Sequence, residues 1–437
     1  MTEILAYTVG VVVFALGVIA SIALHEVGHM VPAKKFGIKV TQYFVGFGKT
    51  VWSTKRGETE YGVKAVPLGG YVKLVGMLPP EKGGDPTRIR RSNTGLFTQL
   101  IADARSAEWE HVEPGDEDRL FYRKPWWQKL IVMAGGPMVN VALAFLLLGG
   151  VWMLYGVPEP RPVVAQVVDC VIPADEAAQG RTCTPSDPVS PAKQAGLEAG
   201  DRIVAFNGTA VESWDQLTGL IRGNDDGAAS IVVERDGDRV VLETNTTVSS
   251  RPEAPRSEEF VQVGFLGVAP VQELERQGVG YVFVTMGQTT KDVGEALLHL
   301  PEKMVGVFQA AFLGADRDQN SPVSVVGASR VAGEVAATDQ LIFEQKVVGV
   351  ISFLGILNLF LALFNFIPLL PLDGGHMAGA LYEALRRGVA KVFKRPDPGY
   401  VDVAKLLPVA YVVGGVLLLT GVVLIYADFV NPVRLGL

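Results

Sequence analysis

This sequence predicts a polytopic α-helical membrane protein with four transmembrane helices, a β-rich loop beside the membrane and an α+β domain on the extracytoplasmic side. Three observations carry that reading. Hydrophobic residues make up 49% of the 437 positions and mean hydropathy is +0.28. The excess is clustered: Ile4–Leu24, Leu130–Pro158, Val347–Leu372 and Leu406–Ala427 contain no Asp, Glu, Lys or Arg. Roughly 20 apolar residues rising 1.5 Å each cross a hydrocarbon core of about 30 Å, so each stretch can span a bilayer. Second, the charges are asymmetric. Ala33–Trp127 carries 16 Lys and Arg, whereas Glu159–Lys346 carries 15 basic against 28 acidic residues. The positive-inside rule then places the basic loops in the cytoplasm and the acidic segment, with both termini, outside. Third, short alternating runs between glycines mark β-structure on both sides of the second span.

In chain order, residues 1–32 form the first transmembrane helix. It lacks a basic leader and a small-residue cleavage site, so it is read as a retained span and not a signal peptide. Residues 33–127 form a cytoplasmic loop. Within it, runs beginning at Gln42, Thr50, Tyr61 and Tyr71 are separated by Gly46, Gly48, Gly57, Gly69 and Gly70, and Pro79–Asp118 is a polar, charged insert poor in periodic apolar residues. Residues 128–158 are the second span. Residues 159–250 form the outer domain, with strands expected at Val163–Val168, Arg202–Asn207, Ser230–Arg235 and Arg239–Thr244 and a short helix near Trp214–Ile221. Residues 251–345 read as a linker, strands at Phe260–Val268 and Tyr281–Thr285, and an amphipathic surface helix over Gly287–Phe312. The third transmembrane segment is 346–376, followed by a cytoplasmic loop over 377–405 and a fourth span over 406–427. The only cysteines, Cys170 and Cys183, fall in the outer segment. An oxidising compartment there permits a disulfide, the alternative being two free thiols. A net charge of −7, concentrated in that segment, gives no support to nucleic-acid binding.

The chemistry centres on His25-Glu26-Val27-Gly28-His29 at the end of the first span. Residues i and i+4 share a helix face, so both imidazoles can reach one metal while Glu26 reaches a water beside it. Zn2+ suits this donor set and lowers the pKa of such a water to near neutral. A bare motif of this kind arises by chance in long chains. Ionisable groups at membrane depth are costly unless paired or metal-bound, which makes function the default reading here. A catalytic zinc needs a third protein ligand and an open position. The candidate is Asp373, in Asn365-Phe-Ile-Pro-Leu-Leu-Pro-Leu-Asp373-Gly-Gly, because the first and third spans run in the same direction and bring their ends to one membrane face. His376 as a further ligand would close the site as in structural zinc, so it is read as an interfacial histidine; His111 and His299 are read as solvated.

Two resemblances follow from these strings. Ser190-Pro-Ala-Lys-Gln-Ala-Gly-Leu-Glu-Ala-Gly-Asp-Arg-Ile-Val-Ala-Phe-Asn-Gly resembles a PDZ domain of the bacterial protease type, which implies either an edge strand offered to an extended peptide or a size filter. With His-Glu-x-x-His on the first span and Asn-x-x-Pro…Leu-Asp-Gly-Gly on the third, the whole chain resembles the site-2 protease family of intramembrane metalloproteases, closest to regulator-of-sigma-factor proteases with a single PDZ domain. The resemblance implies His25, His29 and Asp373 as zinc ligands, Glu26 as general base and acid, and Asn365 as a residue holding substrate or the developing oxyanion. Val40–Leu74, including Pro67-Leu-Gly69-Gly70-Tyr71-Val, is similar to that family's membrane-associated β-loop. An exposed β edge there would give hydrogen-bond partners to an unwound substrate in lipid. Ala134-Gly-Gly-Pro-Met-Val-Asn140 matches another family string, read as permitting close helix approach, with a packing kink at Gly135–Pro137 and Asn140 bonding inside the bundle. The implied partners are the lipid bilayer and single-span membrane proteins such as anti-sigma factors, first trimmed outside by a site-1 protease. Two other readings stand beside this one: an inactive PDZ-containing membrane adaptor, and a membrane-anchored zinc peptidase acting on soluble chains.

Overall fold

The computed structural model describes residues 2–80, 96–109, 112–178, 180–253, 259–318 and 320–433. The chain forms two compact units, one of Met1–Leu154 with Gly278–Leu437 and the other of Tyr155–Gln277.

The first unit opens with helix α1 (Thr2–Lys35), which continues well past the charge-free stretch and carries Pro32 inside it. Strands β1 (Val40–Arg56) and β2 (Thr59–Leu74) follow. The four runs seen in the sequence are segments of these two long strands, bent by bulges and by Gly46 and Gly48 at φ 93° and 86°. Phe44 pairs with Tyr71 on one side and Gly62 on the other, while Trp52 pairs with Val63 further out. Phe47, Val51, Trp52 and Val66 at the far end are exposed. The polar insert holds a helix, α2 (Leu96–Trp109), which its weak apolar period concealed. Arg105 anchors α2 by donating to both carboxylate oxygens of Asp402 at 2.8 and 2.7 Å, and Glu108 accepts from the Gly76 and Met77 amides. The rest of the insert at 81–95, and His111, lie outside the described residues.

Helix α3 (Trp126–Gly150) runs into a π turn at Val151–Tyr155. It crosses α1 at Gly28 and Gly135, where a Cβ on either would fall within 2.4 Å of the other's carbonyl oxygen. Small residues let two helices approach this closely when apolar burial cannot drive them together. Gly10 meets Ala332 and Ala336 in the same manner on another face of α1.

In the second unit, β3 (Val157–Val167), α4 (Ala174–Ala178), α5 (Pro191–Ala195), β4 (Arg202–Phe206), β5 (Thr209–Ala210), α6 (Trp214–Arg222), β6 (Ala228–Arg235), β7 (Asp238–Asn245), β8 (Thr247–Pro252), β9 (Phe260–Phe265) and β10 (Val268–Glu275) succeed one another. The main sheet has the order β10-β3-β4-β6-β7. Its core joins Val164, Ile203, Phe206, Ile231 and Val233 to Leu217 and Ile221 of α6. Local chemistry explains the elements. Ser190 caps α5 by accepting from the Lys193 amide, Pro191 opens it, and Gly196 closes it at φ 77°. Asp236-Gly237, both at positive φ, turns β6 into β7. This unit extends past the expected boundary at 250, because β10 pairs along β3 and Leu266 enters the core. The expected run Phe260–Val268 is broken by Gly267 at φ 95° into β9 and the start of β10. Part of the expected linker, 254–258, lies outside the described residues. Cys170 and Cys183 are joined as a disulfide.

The chain returns to the first unit through α7 (Val279–Leu298), α8 (Leu300–Phe312), α9 (Val325–Ala337), α10 (Phe343–Phe366), α11 (Asp373–Val392) and α12 (Leu407–Val430). Tyr281–Thr285, expected as a strand, is the first part of α7. A short apolar run fits either structure, and here Val282 and Met286, four apart, are the buried face. The expected surface helix is two helices, parted at His299 ahead of Pro301. The third apolar run ends as helix at Phe366, before Pro368 and Pro371. Asp373 therefore opens a new helix instead of closing the third span, and the expected loop over 377–405 is largely that helix, rich in strong helix formers. Among the described residues, four helices are long and apolar enough to cross a membrane: α1, α3 with its π turn, α10, and α12 with the turn before it.

Candidate metal centre

Three side chains distant in sequence converge in the first unit. His25 and His29 lie one turn apart on α1, and their Nε2 atoms are 3.2 Å from each other. Each Nε2 lies 3.3 Å from Asp373 Oδ2. Ligands held at about 2.0–2.1 Å around a tetrahedral zinc stand about 3.3 Å apart, so this triangle has the dimensions of one face of such a site. Among the described residues, these three form the cluster of His, Cys, Asp or Glu donors able to share one ion. The tautomer of His29 is set as well. Its Nδ1 lies 2.8 Å from the Val132 carbonyl, which can only accept, so Nδ1 carries the proton and the Nε2 lone pair faces the centre.

Each element has a reason to be there. Gly374 and Gly375 let the Ile367–Leu372 turn fold back on the start of α11: a Cβ on Gly374 would lie 2.2 Å from the Ile367 carbonyl oxygen. On α3, Gly136 borders the imidazoles, where a Cβ would come within 2.3 Å of His29 Nε2 and 2.7 Å of His25 Nε2. The close helix approach expected of this string is present at Gly135, whereas the place of Gly136 beside the imidazoles was not foreseen. The helix continues through Pro137, Gly135 admits α1, and Gly136 leaves room for the donors. A buried ion pair joins α3 to α11, with Lys129 Nζ 2.7 Å from Glu383 Oε2 and both side chains at most 7% exposed. It also lay outside the sequence reading, because i-to-j pairing across helices has no local signal. Beside it, His376 lines a small cavity with Lys129, Glu383 and Phe121, off the donor triangle.

Glu26 is half-buried next to both imidazoles, with the backbone of Val72 facing its carboxylate. A Cβ on Gly70 would lie 3.1 Å from Glu26 Cγ, so β2 passes directly beside the carboxylate. Gly69 stands at φ 112° with the Phe47 ring against it, and Tyr71 stacks on Phe44 at 5.7 Å. Asn365, on the last turn of α10, donates its amide to Leu361 O at 3.1 Å within its own helix. Asn140 is buried on α3, and its Oδ1 has no hydrogen-bond partner among the described residues, contrary to the expected bond inside the bundle. His299 is exposed beside Glu302.

Helices able to span a bilayer, a three-donor centre of zinc dimensions and a carboxylate poised at its side define a membrane metalloprotease. The profile of peptidase family M50 matches residues 13–396, and the chain belongs to that family. The zinc metalloprotease Rip1 of Mycobacterium tuberculosis is 36% identical over 442 residues, covering 98% of this chain and 99% of the relative. Rip1 of Mycolicibacterium smegmatis is 32% identical over the same shares of both chains. The regulator of sigma-W protease RasP of Bacillus subtilis is 26% identical, covering 89% of this chain and 93% of its own.

Proposed function

We propose that this protein is a zinc-dependent endopeptidase that cleaves transmembrane segments of single-span membrane proteins. The observation that carries this is the placement of the donors: His25 and His29 sit inside a helix whose preceding residues are a candidate span, and not in a water-exposed catalytic domain. The relatives named zinc metalloproteases support zinc as the metal, and the Bacillus relative, named a regulator of sigma-W protease, supports a role in sigma-factor regulation. In this reading the substrates are anti-sigma factors trimmed first by a site-1 protease.

In this reading His25, His29 and Asp373 hold the zinc. Zinc bound there supplies a Lewis acid that polarises the scissile carbonyl and makes water acidic enough to react near neutral pH. Glu26 takes the proton of the attacking water and delivers it to the leaving amine. The Gly70–Leu74 segment pairs with β1 on one side and has no strand partner on the other among the described residues. Its passage beside Glu26 supports a role for Gly69, Gly70 and Tyr71 in pairing with an unwound substrate strand. The exposed apolar far end of the sheet supports contact with lipid. Asn365 holds substrate or oxyanion once its amide leaves Leu361. The basic loops support a cytoplasmic face for the centre, and the disulfide supports an extracytoplasmic place for the second unit, whose PDZ-like sequence fits docking or size filtering.

Glu26→Gln tests the reading. Purified mutant reconstituted with a synthetic single-span substrate should retain zinc and lose cleavage by a factor of about 1,000 or more, the upper range for losing a general base. Cleavage by the mutant at the wild-type rate would sink the mechanism, whereas no cleavage by the wild type itself would leave the adaptor reading standing.

A further inference from the structure

Helix α11 begins with Asp373 and carries a surface that the metal centre does not use. Its inner face, Ala380, Glu383 and Ala390, is buried. On the opposite face Leu381, Leu385, Val389 and Val392 recur at helical spacing and are 48–77% exposed, with Tyr382 and Phe393 beside them. Cations border this stripe. Residues 386–395 contain Arg386, Arg387, Lys391, Lys394 and Arg395 and no acidic residue. Arg387 is engaged with Glu383 and Asp397, and Arg386 lies over the Tyr382 ring at 5.8 Å.

An apolar stripe flanked by cations is the pattern of a helix lying in the plane of lipid headgroups. The neighbours of α11 hold it at that level. The short Ile367–Leu372 connection ties its start to α10, and residues 393–406 join its end to α12, both α10 and α12 being long and apolar enough to span. With Glu383, Arg386, Arg387 and Lys391 inside it, α11 itself cannot cross.

We propose that α11 is an interfacial helix that docks on anionic phospholipid, its stripe at the headgroup–acyl boundary and Arg386, Lys391, Lys394 and Arg395 on the phosphates, and that this docking holds Asp373 against His25 and His29. The inference rests on the membrane reading of the four spans. Its consequence is specific: the lipid charge at this face controls how firmly the third donor stays in place.

The full-length zinc-loaded protein is reconstituted in phosphatidylcholine vesicles and in vesicles that also contain phosphatidylglycerol. Amide exchange over Leu381–Phe393 and the rate of zinc loss to a chelator are measured in each. Phosphatidylglycerol should slow both, zinc loss on the order of tenfold. The R386Q/K391Q/K394Q/R395Q variant should lose that dependence, and R386K/R395K should keep it. Equal rates in the two lipids, a dependence retained by the glutamine variant, or equal protection in detergent without lipid would each overturn the proposal. Alkaline carbonate extraction of the same vesicles separates the two levels of failure. A chain stripped by carbonate overturns the membrane reading with the proposal, whereas an embedded chain indifferent to phosphatidylglycerol overturns the proposal alone.

Discussion

The proton on His29 Nδ1 is committed by one carbonyl, that of Val132, so the ring meets the centre with a lone pair and not a hydrogen. Such orienting bonds sharpen a site because a ligand that must change tautomer or rotate first binds metal more weakly. Asp373 completes the donor face from a different helix, so Asp373→Ala should lower zinc per chain in elemental analysis of the purified protein. Unchanged stoichiometry would remove it from the ligand set. Gly136 is a sharper test of geometry, because alanine there sets a carbon within 2.3 Å of His29 Nε2. Gly136→Ala should weaken zinc binding by about 10–100-fold, the loss seen when a ligand's support is disturbed. Competition with a chelator measures it, and wild-type affinity would mean the rings step aside at no cost. At this scale the sequence exposed the donors but not their supports. His-x-x-x-His has a helical spacing that can be read locally, whereas nothing in Gly-Gly-Pro says which of its glycines faces an imidazole.

Helix α11 decides how the centre is assembled. It starts only because Pro368 and Pro371 break the preceding run, and it is held to α3 by Lys129 and Glu383. Glu383→Gln would leave the Lys129 ammonium buried without its counter-charge, a defect that costs about 3–5 kcal/mol in buried pairs. The expected outcome is a lowered unfolding temperature in detergent together with faster zinc loss. A stability within error of the wild type would show that the pair contributes nothing to docking. The helix was hidden in the sequence for the same reason that Tyr281–Thr285 was misread. Charged residues made 377–405 look like a loop, and a run of five apolar residues looks equally like strand or buried helix until its neighbours are known.

The whole molecule divides its physics between the two units. The first leaves much of its apolar helix surface exposed, as Leu5, Val12, Leu16, Leu146, Leu418 and Leu419 show, which suits lipid and not water. The second has an ordinary aqueous core and a charge network of its own. Arg235 donates to both oxygens of Asp201 at 2.7 Å, and the Glu198 amide donates at 2.9 Å. Burial by itself would raise the Asp201 carboxyl; the Arg235 guanidinium and that amide outweigh it and hold the group below its usual range. Because the folded pKa is the lower one, the stabilisation is present above about pH 4 and is lost as pH falls through the folded value. The protection of the Arg202–Phe206 amides in the intact protein, measured as exchange relative to the intrinsic rate at each pH, should therefore fall in acid. In Asp201→Asn the protection should be lower already at neutral pH and respond less to acid. An unaltered acid response in the variant would assign the effect to another group.

Much of this could be read along the chain. Four charge-free runs were each long and apolar enough to form helices that bury their own backbone polar groups in lipid. Four strands and one helix of the second unit were expected close to where β3, β4, β6, β7 and α6 lie, and His25, Glu26, His29 and Asp373 stood out as ionisable groups beside apolar runs. These are local properties, set by spacing along one segment and by the solvent that segment can tolerate. The convergence of Asp373 on the imidazoles to 3.3 Å, the place of Gly136 against their nitrogens, the carbonyl that orients His29 and the pairing of Lys129 with Glu383 are of another kind. Each depends on two or three segments meeting at a particular rotation and depth. That is settled by how closely glycine-lined helices can approach and by where prolines end a helix, which no single stretch of sequence contains.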